Sequence, residues 1–155
     1  MLLQFVVGAA ACSCNIAIHA LVMLVLVWVA QHAAGASSLG PSMLLVAIMV
    51  ATVSVLMMAH GVEVLVWAVT YGMVGAAPPG ADVLYFAFVN YTTLGYGDVV
   101  PVERWRLLGP TTAMCGVLMF GWSTAVIFDV LRRALAILPQ IPPVEIWRRQ
   151  VKRLL

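Results

Sequence analysis

The chain has 155 residues, 64% of them hydrophobic and only 9% charged, with a net charge of +2 and a mean hydropathy of +1.06. An ordinary soluble domain carries about 25% charged residues, so this composition cannot cover a water-facing surface and the bilayer is the natural solvent. Six of the eight basic residues lie at or beyond Arg132; they come after a hydrophobic stretch and have apolar residues between them, a pattern that argues against nucleic-acid binding.

Three apolar stretches are long enough to span a bilayer, which needs about 20 residues. The first runs over residues 2–30. It has no basic leading segment and is too long for the apolar part of a signal peptide, so despite Ala34-Gly35-Ala36 it reads as a retained span. Cys12 and Cys14 lie within it and Cys115 lies far away. Three cysteines at these spacings make neither a disulfide framework nor a Cys-rich metal site, and they read as small buried residues. The polar loop "QHAAGASSLGPS" comes next, with Pro41 suited to a helix start.

The second stretch covers residues 43–74. His60 and Glu63 sit in its middle at i, i+3, and Trp67 continues their face. Ionisable groups inside a membrane are functional hypotheses. Two readings stay open: a polar tie that fastens this helix to its neighbours, or a proton or metal sensor. A metal site needs partners from elsewhere, and His19 in the first stretch is available.

"GAAPPG" (75–80) breaks the second helix. "ADVLYFAFVN" (81–90) then predicts a short helix with Asp82 as its N-cap. About ten residues rise only about 15 Å, so this segment enters the membrane and returns. Irregular backbone at that depth must be buried in protein or line a watery cavity. The short helix runs into such a segment, "NYTTLGYGDVVP" (90–101). Gly95 and Gly97 alternate with ordinary residues, and glycine reaches positive φ without steric cost. Such alternation lets successive carbonyls point the same way. Four copies around an axis would stack rings of oxygen able to replace a cation's hydration shell. The short helix would aim its partly negative C-terminal end at the cavity below.

The third stretch covers residues 107–131. Arg132, Arg133, Arg148, Arg149, Lys152 and Arg153 then place the C-terminus in the cytoplasm by the positive-inside rule. Three spans leave the N-terminus and the 75–106 segment outside. "VEIWRRQVKRLL" (144–155) sets Val144, Trp147, Val151 and Leu154 on one helical face, suited either to an anionic leaflet or to a simple basic tail. No span carries the regularly spaced Arg or Lys of a voltage sensor.

"TTLGYGD" resembles the selectivity filter of potassium channels, which usually has Val in place of Leu94. The order span, half-helix, filter, Pro101, span is similar to that family's pore module over about residues 43 to 133. "GVLMFGWSTA" (116–125) resembles its pore-lining helix. The whole chain looks like a small bacterial potassium-channel family protein with an extra N-terminal span. The resemblance implies an all-α, tetrameric membrane protein of three transmembrane helices plus a re-entrant pore helix and filter loop. It implies an N-terminal span and loop over 1–41, and a pore domain over 42–135 with outer helix 43–74, pore helix 82–92, filter 93–98 and inner helix 107–133. A basic cytoplasmic tail covers 136–155.

Carried over by residue, carbonyls of Thr93, Leu94, Gly95 and Tyr96 would bind K⁺. Thr92, Gly97, Asp98 and Tyr85 would support the filter, the Tyr85 hydroxyl by holding Asp98. Gly116 and Gly121 are hinge candidates, although small residues in membrane helices more often permit close packing. Some channels carry a Glu behind the filter where this chain has Val89. The implied activity is passive K⁺ conduction by a homotetramer in a bacterial inner membrane. It needs no cofactor and no enzymatic step, and its partners are three further copies of the chain, potassium ions and lipid. The alternatives are a weakly selective cation channel, or a non-conducting accessory subunit that uses the pore fold structurally.

Overall fold

The computed structural model describes residues 1–33 and 40–137. Among these, the chain forms helix α1 (Leu2–Ala33), α2 (Pro41–Val74), α3 (Val83–Tyr91), a 3₁₀ turn (Glu103–Trp105) and α4 (Leu108–Ile137). Three helices are long and apolar enough to cross a membrane. At 1.5 Å per residue, α3 rises only about 13 Å, well short of a hydrocarbon core of about 30 Å. The predicted elements all occur with shifted ends. α1 continues to Ala33 and α4 to Ile137, and the 3₁₀ turn over Glu103–Trp105 is an element that the sequence pattern does not announce. Residues 138–155, which hold most of the expected tail, lie outside the described residues, as does 34–39.

Each helix end has a local cause. Gly40 precedes α2 and Pro41 takes its first turn, where a missing N–H costs nothing. Gly75 closes α2 at φ 63, and the Ala76 amide then returns to the Tyr71 carbonyl at 2.9 Å, the reversed bond of a left-handed helix stop. Asp82 caps α3: its Oδ1 accepts from the amides of Leu84 at 2.9 Å and Tyr85 at 3.1 Å. α4 is capped from a distance, because the Leu107 amide donates to Gln4 Oε1 of α1 at 2.9 Å.

That last bond opens a regular seam. Gln4 meets Leu107, Cys12 Sγ lies 2.7 Å from Cys115 Sγ, and His19 reaches Ser123. Between them, a Cβ on Gly8 would lie 2.7 Å from Thr111 Cγ2. α1 therefore runs parallel to α4 in nearly constant register, and it also packs on α2. It covers one side of the α2–α4 pair rather than standing apart from the other helices. Cys12 and Cys115 fit the expectation of packed small residues. Cys14 does not: it is exposed, because it points away from the seam in which Cys12 sits.

The core lies where α2, α3 and α4 meet. Trp67, Tyr71, Phe86, Tyr91 and Leu108 are fully buried there. Tyr71 and Phe86 stack with ring centroids 4.8 Å apart, a geometry that favours aromatic pairs beyond their area. Tyr71 also donates its hydroxyl to Thr112 Oγ1 at 2.5 Å, while Thr112 donates to the Leu108 carbonyl at 2.8 Å.

Candidate functional site

The stretch after α3 departs from ordinary backbone. Thr93, Gly95 and Gly97 take φ of 60, 59 and 79, every second residue of the loop. Gly95 and Gly97 reach this region freely, whereas Thr93 is held there against its β-branched side chain. The hold comes from the end of α3. The Thr93 amide donates to Asn90 O at 3.1 Å, and the amides of Leu94 and Gly95 both donate to Val89 O, at 3.0 and 3.4 Å. Leu94 and Tyr96 are 53% and 68% exposed, so this apolar loop needs further protein or an aqueous cavity to be stable in a membrane.

Thr92 closes α3, its amide donating to Phe88 O at 2.9 Å and its hydroxyl to the same carbonyl at 2.7 Å. At the other end of the loop the Tyr85 hydroxyl donates to Asp98 Oδ2 at 2.6 Å. This hydrogen bond holds the Asp98 carboxyl below the usual carboxylate range and pushes the Tyr85 phenol up. It fastens the outer end of the loop to the first turn of α3.

Gly116 sits where α4 crosses the end of α3. A Cβ there would overlap the Tyr91 carbonyl oxygen and lie 3.0 Å from its carbon. Its observed role is close approach, and α4 is unbroken through it. Gly121 has nothing within 4 Å of its would-be Cβ.

Behind the loop lies a sealed polar cluster. His60 and Glu63 of α2 are buried, as are His19 and Asn15 of α1, Tyr91 of α3 and Ser123 of α4. Glu63 Oε1 lies 2.7 Å from His19 Nδ1. Its Oε2 lies 3.1 Å from His60 Nδ1 and accepts a short bond from the Tyr91 hydroxyl. His60 Nδ1 is 2.9 Å from that same hydroxyl, and its Nε2 is 2.9 Å from Ser123 Oγ. Ser123 Oγ is also 3.4 Å from His19 Nε2. A buried carboxylate is costly unless surrounded by donors, and the helices that meet here supply them.

Sequence reasoning singles out His60, Glu63 and the availability of His19. It misses Asn15, Tyr91 and Ser123. Asn15 and His19, one turn apart in an otherwise apolar helix, carry a signal; Tyr91 and Ser123 are ordinary residues whose role appears only when the helices meet.

Three long apolar helices and a half-length helix leading into an irregular loop define a pore-type membrane protein. Residues 59–133, from the middle of α2 to the last third of α4, match the ion channel family. The match supports an ion channel of the potassium-channel-like pore type. No curated protein and no solved structure matches the chain.

Proposed function

We propose that the chain is one subunit of a homotetrameric, potassium-selective channel. The observation that carries this reading is the alternation of positive φ at Thr93, Gly95 and Gly97, in a loop between a re-entrant helix and a spanning helix. Alternating backbone hands turn successive carbonyls to one side. The carbonyls of Thr93, Leu94, Gly95 and Tyr96 would line the ion path, and four copies would close rings around a dehydrated K⁺. Backbone oxygens favour K⁺ over a strongly hydrated small cation, which a carboxylate ring would not do.

One loop cannot surround an ion, so cyclic symmetry must supply the other sides. The exposure of Leu94, Tyr96, Met114, Val117 and Leu118 in the single chain supports burial against neighbouring copies. Tyr85 and Asp98 brace the outer mouth. Gly121, with nothing within 4 Å of its would-be Cβ, would give α4 its freedom to move, while Gly116 holds α4 against the end of α3. In this reading the protein lies in a bacterial inner membrane with the 75–106 segment outside and the C-terminus in the cytoplasm. Lipids contact its apolar faces, and no cofactor is required.

Mass measurement of the purified protein in mild detergent should give four chains. Liposomes holding that species and a K⁺ gradient should accumulate Rb⁺, and the uptake should be carried by the tetramer alone. A stable, active monomer or dimer would refute the assembly.

A further inference from the structure

We infer that the cluster behind the pore loop is a binding site for one divalent transition-metal ion of the Zn²⁺ type, held by His19 Nδ1, His60 Nδ1, the Glu63 carboxylate and the Tyr91 oxygen. One ligand atom from each of His19, His60 and Glu63 lies within 4.8 Å of the others, and all three residues are buried. Two imidazoles and one carboxylate form a recurrent zinc ligand set, with a fourth oxygen completing a tetrahedron. Here that oxygen is at hand, since the Tyr91 hydroxyl lies 2.9 Å from His60 Nδ1 and bonds Glu63 Oε2.

The orientation of the imidazoles suits a metal. Both Nδ1 atoms face the Glu63 carboxylate, and both Nε2 atoms face the single hydroxyl of Ser123. Suppose both histidines are neutral and donate from Nδ1. Both Nε2 atoms then need a hydrogen from Ser123, which has one to give. One buried nitrogen goes without. A metal on the Nδ1 side reverses the count. Both imidazoles then carry hydrogen on Nε2, and Ser123 Oγ accepts both with its two lone pairs. Ser123 becomes the outer partner that ligating histidines usually have, fixing tautomer and ring direction.

Charge also closes. The Glu63 carboxylate cancels one of the ion's two positive charges. The Tyr91 phenol, bound as phenolate with its proton released to water, cancels the other, so the buried site is neutral. One imidazolium paired with Glu63 would also satisfy the hydrogen bonds, as would a neutral His60 that donates from Nε2 to Ser123 and accepts at Nδ1 from the Tyr91 hydroxyl, and such a metal-free tie is the competing outcome.

Such an ion would clamp α1 and α2 onto the last residue of α3, two residues before Thr93. It explains why a first span should carry His19 into the seam. The site does not depend on which cation the pore conducts.

The test uses the full chain in detergent, stripped with a chelator and dialysed against Zn²⁺ at pH 7.5. Metal analysis should give one zinc per chain, with protons released on binding. His19→Gln and His60→Gln should each lower retained zinc at least tenfold, while His32→Gln should retain it. X-ray absorption on the zinc-loaded parent protein needs no variant to fold. It should show nitrogen and oxygen ligands at about 2.0–2.2 Å and no sulfur shell at about 2.3 Å. A parent protein that keeps no zinc would overturn the site and leave the protonated tie. Zinc retained in full by folded forms of both histidine variants, or a sulfur shell, would equally overturn it. K⁺ flux of the parent protein is a separate measurement, so failure of this site and failure of the channel reading are told apart.

Discussion

Replacing Gly116 with alanine should loosen the contact between α4 and the pore helix. The added methyl would overlap the Tyr91 carbonyl oxygen and stand 3.0 Å from the carbonyl carbon. These are backbone atoms at the end of a helix, so they cannot rotate aside as a side-chain tip would. Alanine in a helix gains about 1 kcal/mol over glycine, while overpacking a tight contact costs about 1–3 kcal/mol. The upper end applies here, giving a net loss of about 1–2 kcal/mol. Gly61→Ala is the control, because its Cβ meets nothing within 4 Å. It should keep the propensity gain, placing the two variants about 2–3 kcal/mol apart. At roughly 2–4 °C per kcal/mol for chains of this size, thermal unfolding in detergent should separate them by about 5–10 °C. Flux should fall in Gly116→Ala, since any shift of Tyr91 moves the start of the loop. Equal melting points for the two variants would refute the close-approach reading of Gly116.

Glu63→Leu should unfold or dissociate the protein readily, because it leaves His19, His60 and Tyr91 short of an acceptor at about 1–3 kcal/mol per buried group. Glu63→Gln should preserve assembly on a native gel, since an amide keeps an accepting oxygen; a Leu variant as stable as the parent would remove the tie. Gly95→Ala imposes a side chain at φ 59, a strain of about 1–2 kcal/mol, and should reduce K⁺ flux or selectivity in liposomes. Tyr85→Phe removes the hydrogen bond that depresses Asp98. A carboxylate with a depressed folded pKa contributes above its ordinary range and loses that contribution as pH falls through the depressed value. The variant's loss of flux on acidification should therefore begin at higher pH than the parent's, and identical acid profiles would count against the brace.

The spans were legible because membrane length and hydropathy leave few options, and the ends of α2 and α3 because Gly75 and Asp82 mark them with ordinary capping chemistry. The pore loop was legible as a motif. The positive φ of Thr93 was not, because a threonine gives no local reason for it: the Val89 and Asn90 carbonyls impose it through the loop amides. The polar cluster was half legible. His60 and Glu63 share a face within one helix, so periodicity finds them. The contributions of Asn15 and His19 depend on how α1 packs against α2 and α4, and those of Tyr91 and Ser123 on how α3 and α4 meet α2, which no period within a single helix encodes. Gly116 drew attention as a hinge candidate, while its packing against Tyr91 is visible only once α3 and α4 meet. Cys14 was misplaced for a related reason. Two cysteines two residues apart lie on different faces of a helix, and only Cys12 turns to the seam.

The most direct test of the central claim is the reversal potential of purified protein in a planar bilayer with K⁺ on one side and Na⁺ on the other. A backbone-carbonyl filter predicts a potential near the K⁺ equilibrium value, Rb⁺ substituting for K⁺, and collapse of this preference in Gly95→Ala. A potential near zero in the unmodified protein, with equal K⁺ and Na⁺ currents, would contradict the assignment of residues 93–96 as a potassium filter.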